Sequence, residues 1–148
     1  MKEFERILIP TDGSESALFA VEKGISLAKL LKVSAHAIYV VDTAAFASVP
    51  PDSLIVDLES ILESEARRIL EKVRDMAKNA SVELHTHIFK GRPADEIADF
   101  ATKNDLIVIS TRGKTRLGRL FLGSVTEDVV HHAPCPVMVI RKPEDKKE

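Results

Sequence analysis

A single cysteine, Cys135, stands in the 148-residue chain, which excludes an internal disulfide framework and any multi-cysteine metal site. Long apolar runs are missing as well. None approaches the ~18 residues needed to span a bilayer, and the opening MKEFERILIP reaches a turn without the h-region of a signal peptide. Glycine and proline are few, 6 and 7, and scattered without a period, so collagen-like and low-complexity architectures are excluded. Positive charge is not in excess: 21 Lys and Arg against 23 Asp and Glu leave a net charge of −2, and no global basic field recruits nucleic acid. What is present is ordinary. With 45% hydrophobic and 30% charged residues, the chain has enough apolar surface to bury and is not a disordered one. The expectation is one soluble, cytoplasmic domain over 1–148, with a charged, frayed tail over 142–148 and neither membrane nor nucleic acid as a partner.

Three short runs of branched aliphatics are bounded by turn residues: Arg6 to Pro10, Asp105 to Ser110 and Pro136 to Arg141. Continuous apolar runs of this length suit strands buried on both faces of a parallel sheet. Val33 to Val41 is a fourth strand. Val82 to Phe89 is a fifth, and it alternates, with Glu83, His85, His87 and Phe89 on one side. That pattern predicts one solvated face near a sheet edge. Between the strands, apolar residues recur at spacings of three and four: Ala17, Leu18, Val21, Ile25, Ala28 and Leu31, then Leu58 to Met76 in a long helix from about Asp52 to Asn79. Glu63 and Arg67 lie four apart on its outer side, in the favourable orientation for an ion pair. Gly91-Arg92-Pro93 places a proline at a helix start. A last helix is predicted from about Val125 to His132, and Thr43 to Pro51 reads as a loop. The order β-α-β-α-β-α-β-α-β predicts an α/β fold, a parallel sheet covered on both faces.

The segment from Ser110 to Thr126 leaves the carboxyl end of a buried strand, where open parallel sheets bind ligands. The ten residues Ser110 to Arg119 carry four positive charges and no acid. Gly113, Gly118 and Gly123 permit sharp turns and close backbone approach. Ser124-Val125-Thr126-Glu127 reads as a capping box that opens a helix, whose free N–H groups and dipole attract anions. Together these features describe a polyphosphate cradle. A basic surface loop before an ordinary capped helix accounts for them equally well. The segment is not a P-loop, because the first glycine of GxxxxGK[ST] would fall on Val108. At the end of the first strand, Pro10-Thr11-Asp12-Gly13-Ser14 leads into a helix. Asp12 there is either a turn residue or a ligand for a ribose hydroxyl or a metal ion bridging phosphates. If strands one and four are neighbours, Asp12 and the basic loop face each other across one crevice.

These residues resemble a known family, the universal stress proteins of the nucleotide-binding kind. The family's loop G-x2-G-x9-G-[S/T] is matched by Gly113, nine intervening residues, Gly123 and Ser124, with Ser110 where the family has its first glycine. The opening Ile-Leu-Ile-Pro-Thr-Asp-Gly-Ser, Tyr39-Val40-Val41-Asp42, Gly91-Arg92-Pro93 and His132-Ala133-Pro134-Cys135-Pro136-Val137 fit as well. The resemblance implies an open five-stranded parallel sheet in the order 3-2-1-4-5, Rossmann-like, that binds ATP or a related nucleotide, ADP or AMP, with or without magnesium. By position, Pro10, Thr11 and Asp12 flank the ribose and phosphates, and Asp12 reaches the metal through them. Val40 contacts adenine through its backbone. Ser110, Thr111, Arg112, Gly113, Lys114, Thr115 and Arg116 wrap the phosphates, and Gly123, Ser124, Val125 and Thr126 close the site. Ser110 puts a side chain where the family lets backbone approach.

No strong catalytic constellation is visible, and neither an HxGH nor an SGGxDS-type motif occurs. His85 and His87 share a strand face but have no third ligand placed by spacing, and they are read as solvated edge residues. His131 and His132 suit a helix C-terminus, and Cys135 reads as a buried small residue. The last strand, apolar on both faces, is an edge in the order 3-2-1-4-5 and needs a cover. The resemblance implies a homodimer that pairs this strand, Val137, Met138, Val139, Ile140 and Arg141, across a two-fold axis. The expected function is a dimeric, nucleotide-responsive stress sensor. The alternatives are a partner-binding scaffold without functional nucleotide and a slow ATPase.

Overall fold

The computed structural model describes residues 2–46, 53–111, 113–114 and 120–143. Its strands are β1 (Arg6–Pro10), β2 (Ser34–Asp42), β3 (Leu84–Gly91), β4 (Asp105–Ser110), β5 (Gly113–Lys114), β6 (Leu120–Phe121) and β7 (Val137–Ile140). The helices are α1 (Glu15–Leu31), α2 (Ser53–Asn79), α3 (Pro93–Phe100) and α4 (Ser124–His132). Five strands form one sheet in the order β3-β2-β1-β4-β7, and every pairing is parallel. Numbered along the sheet-forming strands, this is 3-2-1-4-5. The expected neighbours β1 and β4 are paired, with Arg6 opposite Asp105 and Leu8 opposite Ile107.

Both faces of the sheet are buried, as the continuous apolar strands require. On one face Ile7, Ile9, Ala37, Tyr39, Val41 and Val108 pack against Val21 and Ile25 of α1 and Ala66, Ile69 and Val73 of α2. On the other, Leu8, Ile38, Ile107 and Ile109 pack against Ile97 of α3 and Val129 of α4. Alternate residues of one strand thus serve two cores, which a period of two dictates. The middle strand has no solvent side: Ile7, Leu8 and Ile9 are all fully buried. Gly24 lets α1 lie close on it, since a Cβ there would stand 2.6 Å from Ile9 Cδ1.

Several local expectations need correction. Thr43–Phe46 is a turn of 3-10 helix rather than irregular loop, and residues 47–51 of that loop lie outside the described residues. Helix α4 begins at Ser124, with Gly123 as its N-cap and no side-chain cap bond. The reading of Ser124 as the cap of a capping box is therefore wrong by one residue. The second face of β3 is solvated only in part. His85 is exposed, but His87 and Phe89 are half-buried under Phe100, whose ring lies 4.6 Å from that of His87 and 5.3 Å from that of Phe89. The alternation was read correctly, but the tertiary cover was not. Glu63 does meet Arg67, at 3.6 Å, and it also pairs with Lys90 of β3. Lys142, assigned to the frayed tail, is paired with Glu15; 144–148 lie outside the described residues. No helix among the described residues is long and apolar enough to cross a membrane.

Candidate functional site

The helix that follows β1 packs on one face of the sheet and the helix that follows β4 on the other, so the connections leaving these two neighbouring strands diverge and leave a crevice. A cavity of about 580 Å³ occupies it, within the usual range of small-molecule sites. Its walls come from every element that converges there. Pro10, Thr11 and Asp12 follow β1, Val40 and Asp42 end β2, Ser110 and Thr111 end β4, and Val125 and Thr126 open α4. Tyr39 and Ile38 of β2, Leu62 of α2, and Pro93 and Ile97 of α3 lie on it as well, as do Ser16 and Ala17 of α1.

The turn after β1 is held by its own polar groups. The Thr11 N–H donates to the Ile38 carbonyl at 2.9 Å and extends the β1–β2 ladder by one residue. The Gly13 N–H donates to Thr11 Oγ1 at 3.1 Å, and the Ser14 N–H donates to Asp12 Oδ1 at 2.9 Å. Ser14 Oγ then accepts from the Ala17 N–H at 3.2 Å and caps α1. Gly13 sits at φ +81°, and a Cβ there would meet Ile69 Cδ1 at 2.3 Å, so only glycine suits both the backbone and the close approach of α2. The result is a rigid turn that presents the exposed Asp12 carboxylate to the cavity.

The turn after β4 is held differently. Thr111, almost fully buried, donates its N–H to the Ile140 carbonyl at 3.0 Å. Thr126 Oγ1 donates to the Ser110 carbonyl at 2.7 Å and ties the first turn of α4 to the end of β4. Gly123 adopts φ +83°, a conformation that favours glycine. Gly123, the N-cap of α4, makes no side-chain cap bond, and a helix start of this kind suits an external anion. Gly123 and Ser124 form the start of this helix beside the wall residues Val125 and Thr126. Gly113 and Lys114 of the expected phosphate wrap pair antiparallel with Phe121 and Leu120, a two-stranded ribbon that the sequence reading took as open loop. Arg112, Thr115 and Arg116 lie outside the described residues.

The electrostatics of the described wall are set by acids and helix ends. Tyr39, nearly buried, has its phenol pushed above its ordinary value, by burial first and then by the carboxylates of Asp12 and Glu65. Among the described residues no group of three His, Cys, Asp or Glu could hold a metal by itself. A divalent cation would fit here only alongside a ligand that brings its own oxygens, with Asp12 as the protein's share. The sequence reading missed Tyr39, Leu62, Pro93, Ile97 and Asp42 as wall residues. Pro93 stood in the Gly91-Arg92-Pro93 motif and Asp42 at the strand end, so both were within reach of the same strand-end logic. Leu62 and Ile97 carry only helical periodicity, which says "core" and nothing of a cavity.

Residues 3–141 match the model of the universal stress protein family. A universal stress protein of Methanocaldococcus jannaschii is 44% identical over 147 residues, covering 98% of this chain and 85% of that protein. Among solved structures, universal stress protein UspA from Lactobacillus plantarum superposes with a TM-score of 0.81 at 32% identity, covering 93% of this chain and 98% of that one. The universal stress protein from Archaeoglobus fulgidus in complex with dAMP shares the fold, with a TM-score of 0.66 at 22% identity, covering 94% of this chain and 98% of that one.

Proposed function

The chain belongs to the universal stress protein family, and from that premise we propose that its strand-end cavity binds an adenine nucleotide, ATP or its ADP and AMP relatives, as the input to a stress-linked switch. The observation that carries this reading is the convergence of two turns on one cavity. Asp12 after β1 and the Ser110, Thr111 and Thr126 cluster between β4 and α4 line the same 580 Å³ space. The uncapped N-terminus of α4 suits phosphate oxygens. The apolar wall at Val40, Pro93 and Ile97 suits a base, and the Asp12 carboxylate suits ribose hydroxyls or a magnesium ion carried in on the phosphates. A relative of this fold was crystallised with dAMP, which is in keeping with the size of such a cavity.

Binding rather than turnover is favoured. The ionisable side chains on the described wall are Asp12, Asp42 and Tyr39, and Asp12 Oδ1 accepts from the Ser14 N–H, which fits a carboxylate that holds a turn and a ligand. A slow ATPase remains the reading that a steady phosphate release, abolished in Asp12→Ala, would establish. We also propose that a second copy covers β7. That strand ends the sheet, and Met138 on it is 42% exposed.

Freshly purified protein, denatured and analysed by mass spectrometry, should release an adenine nucleotide. Calorimetry on stripped protein with ATP, ADP and AMP, with and without magnesium, should show saturable heat. No released nucleotide, no heat and no thermal shift at millimolar nucleotide would sink the proposal and leave the partner-binding scaffold.

A further inference from the structure

At the end of the sheet away from the cavity, the face covered by α3 changes from aliphatic to polar. His36 of β2 and His87 of β3 stand diagonally across the ladder in which His36 pairs with His85 and Ile38 with His87. Their rings are 5.2 Å apart and 9° from parallel. His36 Nδ1 and His87 Nε2 are 2.9 Å apart, and Ser34 Oγ lies 3.2 Å from the other nitrogen of His36. Phe100, the last residue of α3, closes over the pair, and His36 keeps only 9% of its exposure.

A hydrogen bond between two ring nitrogens requires one proton between them. Two neutral rings supply it in either tautomer, because the Ser34 hydroxyl can donate or accept. One charged ring can still donate to a neutral partner. Two charged rings cannot bond at all: donor then faces donor, and like charges meet in a half-buried contact. The surroundings sharpen this. From β1 the Arg6 guanidinium sits 4.6 Å over the Phe100 ring. From β3 His85 stacks on His36 at 4.6 Å and pairs with Glu83 at 3.2 Å. From β4 comes Asp105, already held by two bonds from Arg6. Before β7 lies the Cys135 thiol, which burial pushes up, toward its neutral form. Helix α3 contributes the Phe100 ring.

We infer that the His36–His87 pair is an acid-operated latch: sharing one proton, it holds edge strand β3 and the C-terminal end of α3 on the sheet, and doubly protonated, it releases them. Burial first, then the Arg6 cation, pushes His36 down to about 4, and the same two causes lower His87. Both rings therefore bind protons more weakly folded than unfolded. Their contribution is full above the ordinary histidine value of 6.5 and is lost as pH falls toward 4. The effect reaches the cavity through one short helix, since Phe100 covers the histidines while Pro93 and Ile97 of the same helix line the cavity. This holds whatever the cavity binds.

The test needs no variant to begin with. Imidazole resonances of the wild-type protein followed by NMR from pH 8 to 3.5 should show both His36 and His87 titrating below the ordinary histidine value of 6.5. Amide exchange should rise over that range in β3 and α3 while α1 stays protected. In denaturant titrations the wild type should lose roughly a hundredfold more of its folding constant between pH 7 and 4 than His36→Gln, with His87→Gln as the second variant. Normal titration of both rings near 6.5, exchange rising evenly along the chain, or matching pH dependence in both variants and wild type would overturn the latch.

Discussion

Arg6 and Asp105 face each other across the β1–β4 pairing and join the two strands by side chains as well as by backbone. The guanidinium donates from Nε at 2.9 Å and from Nη2 at 2.7 Å, and the Thr102 N–H adds a third bond to the carboxylate at 2.7 Å. Burial works to raise the Asp105 value, but these bonds hold it below the ordinary one, so the carboxylate stays charged though fully buried. Arg6→Ala leaves that charge unpaired and should cost about 3 kcal/mol in urea denaturation at pH 7. The wild-type advantage should shrink as pH falls through the depressed Asp105 value, because the pair is then lost to protonation. In the proposed site, Asp12→Asn keeps the turn but removes the charge, and nucleotide affinity by calorimetry should fall roughly tenfold. Residues such as Asp12 and Thr111 were legible because strand ends of parallel sheets are where ligands bind. His87 was not, because alternation tells which residues share a face and not what packs on that face. The cap of α4 was read at Ser124 instead of Gly123 because a hydroxyl followed three residues later by a carboxylate looks the same whether or not it caps.

Among the elements, α1 shows how a locally unfavourable residue serves packing. Gly24 sits mid-helix, where alanine would be better by about 1 kcal/mol in isolation. A Cβ there runs into Ile9 Cδ1 and Cγ1, at 2.6 and 2.8 Å, in a fully buried side chain. Gly24→Ala should therefore destabilise by roughly 1–3 kcal/mol in thermal unfolding, against its helix propensity. Strand β7 separates two effects that the sequence pattern merges. Val139 packs into the core between the sheet and α3 and α4, whereas Met138 is largely exposed. Met138→Lys should convert the proposed dimer to monomer by light scattering with little loss of stability. Val139→Asp should destabilise the fold itself, so it does not isolate the interface. The five strands of the main sheet and four helices were legible from periodicity and turn residues. The β5–β6 ribbon was not, since two paired residues on each side carry no period to read.

At the scale of the whole molecule, the proposed cavity is walled by β1, β2 and β4 together with α1, α2, α3 and α4. A ligand there touches most of the fold and should stabilise it as a unit. At a hundred times its dissociation constant, nucleotide should add about 2.7 kcal/mol, seen as a rise of roughly 5–10 °C in Tm for a chain of this size. The topology has a consequence for how the chain is made. β1 emerges first yet ends in the middle of the sheet, and Arg6 meets its partner Asp105 only across a separation of 99 residues. At ~5–20 residues per second of synthesis, the bare Ile7-Leu8-Ile9 edge waits on the order of 5–20 s on the ribosome for its second neighbour. Throughout that interval the nascent chain is a half-finished sheet with a sticky margin, and chaperone demand for this protein should be greatest then rather than after release.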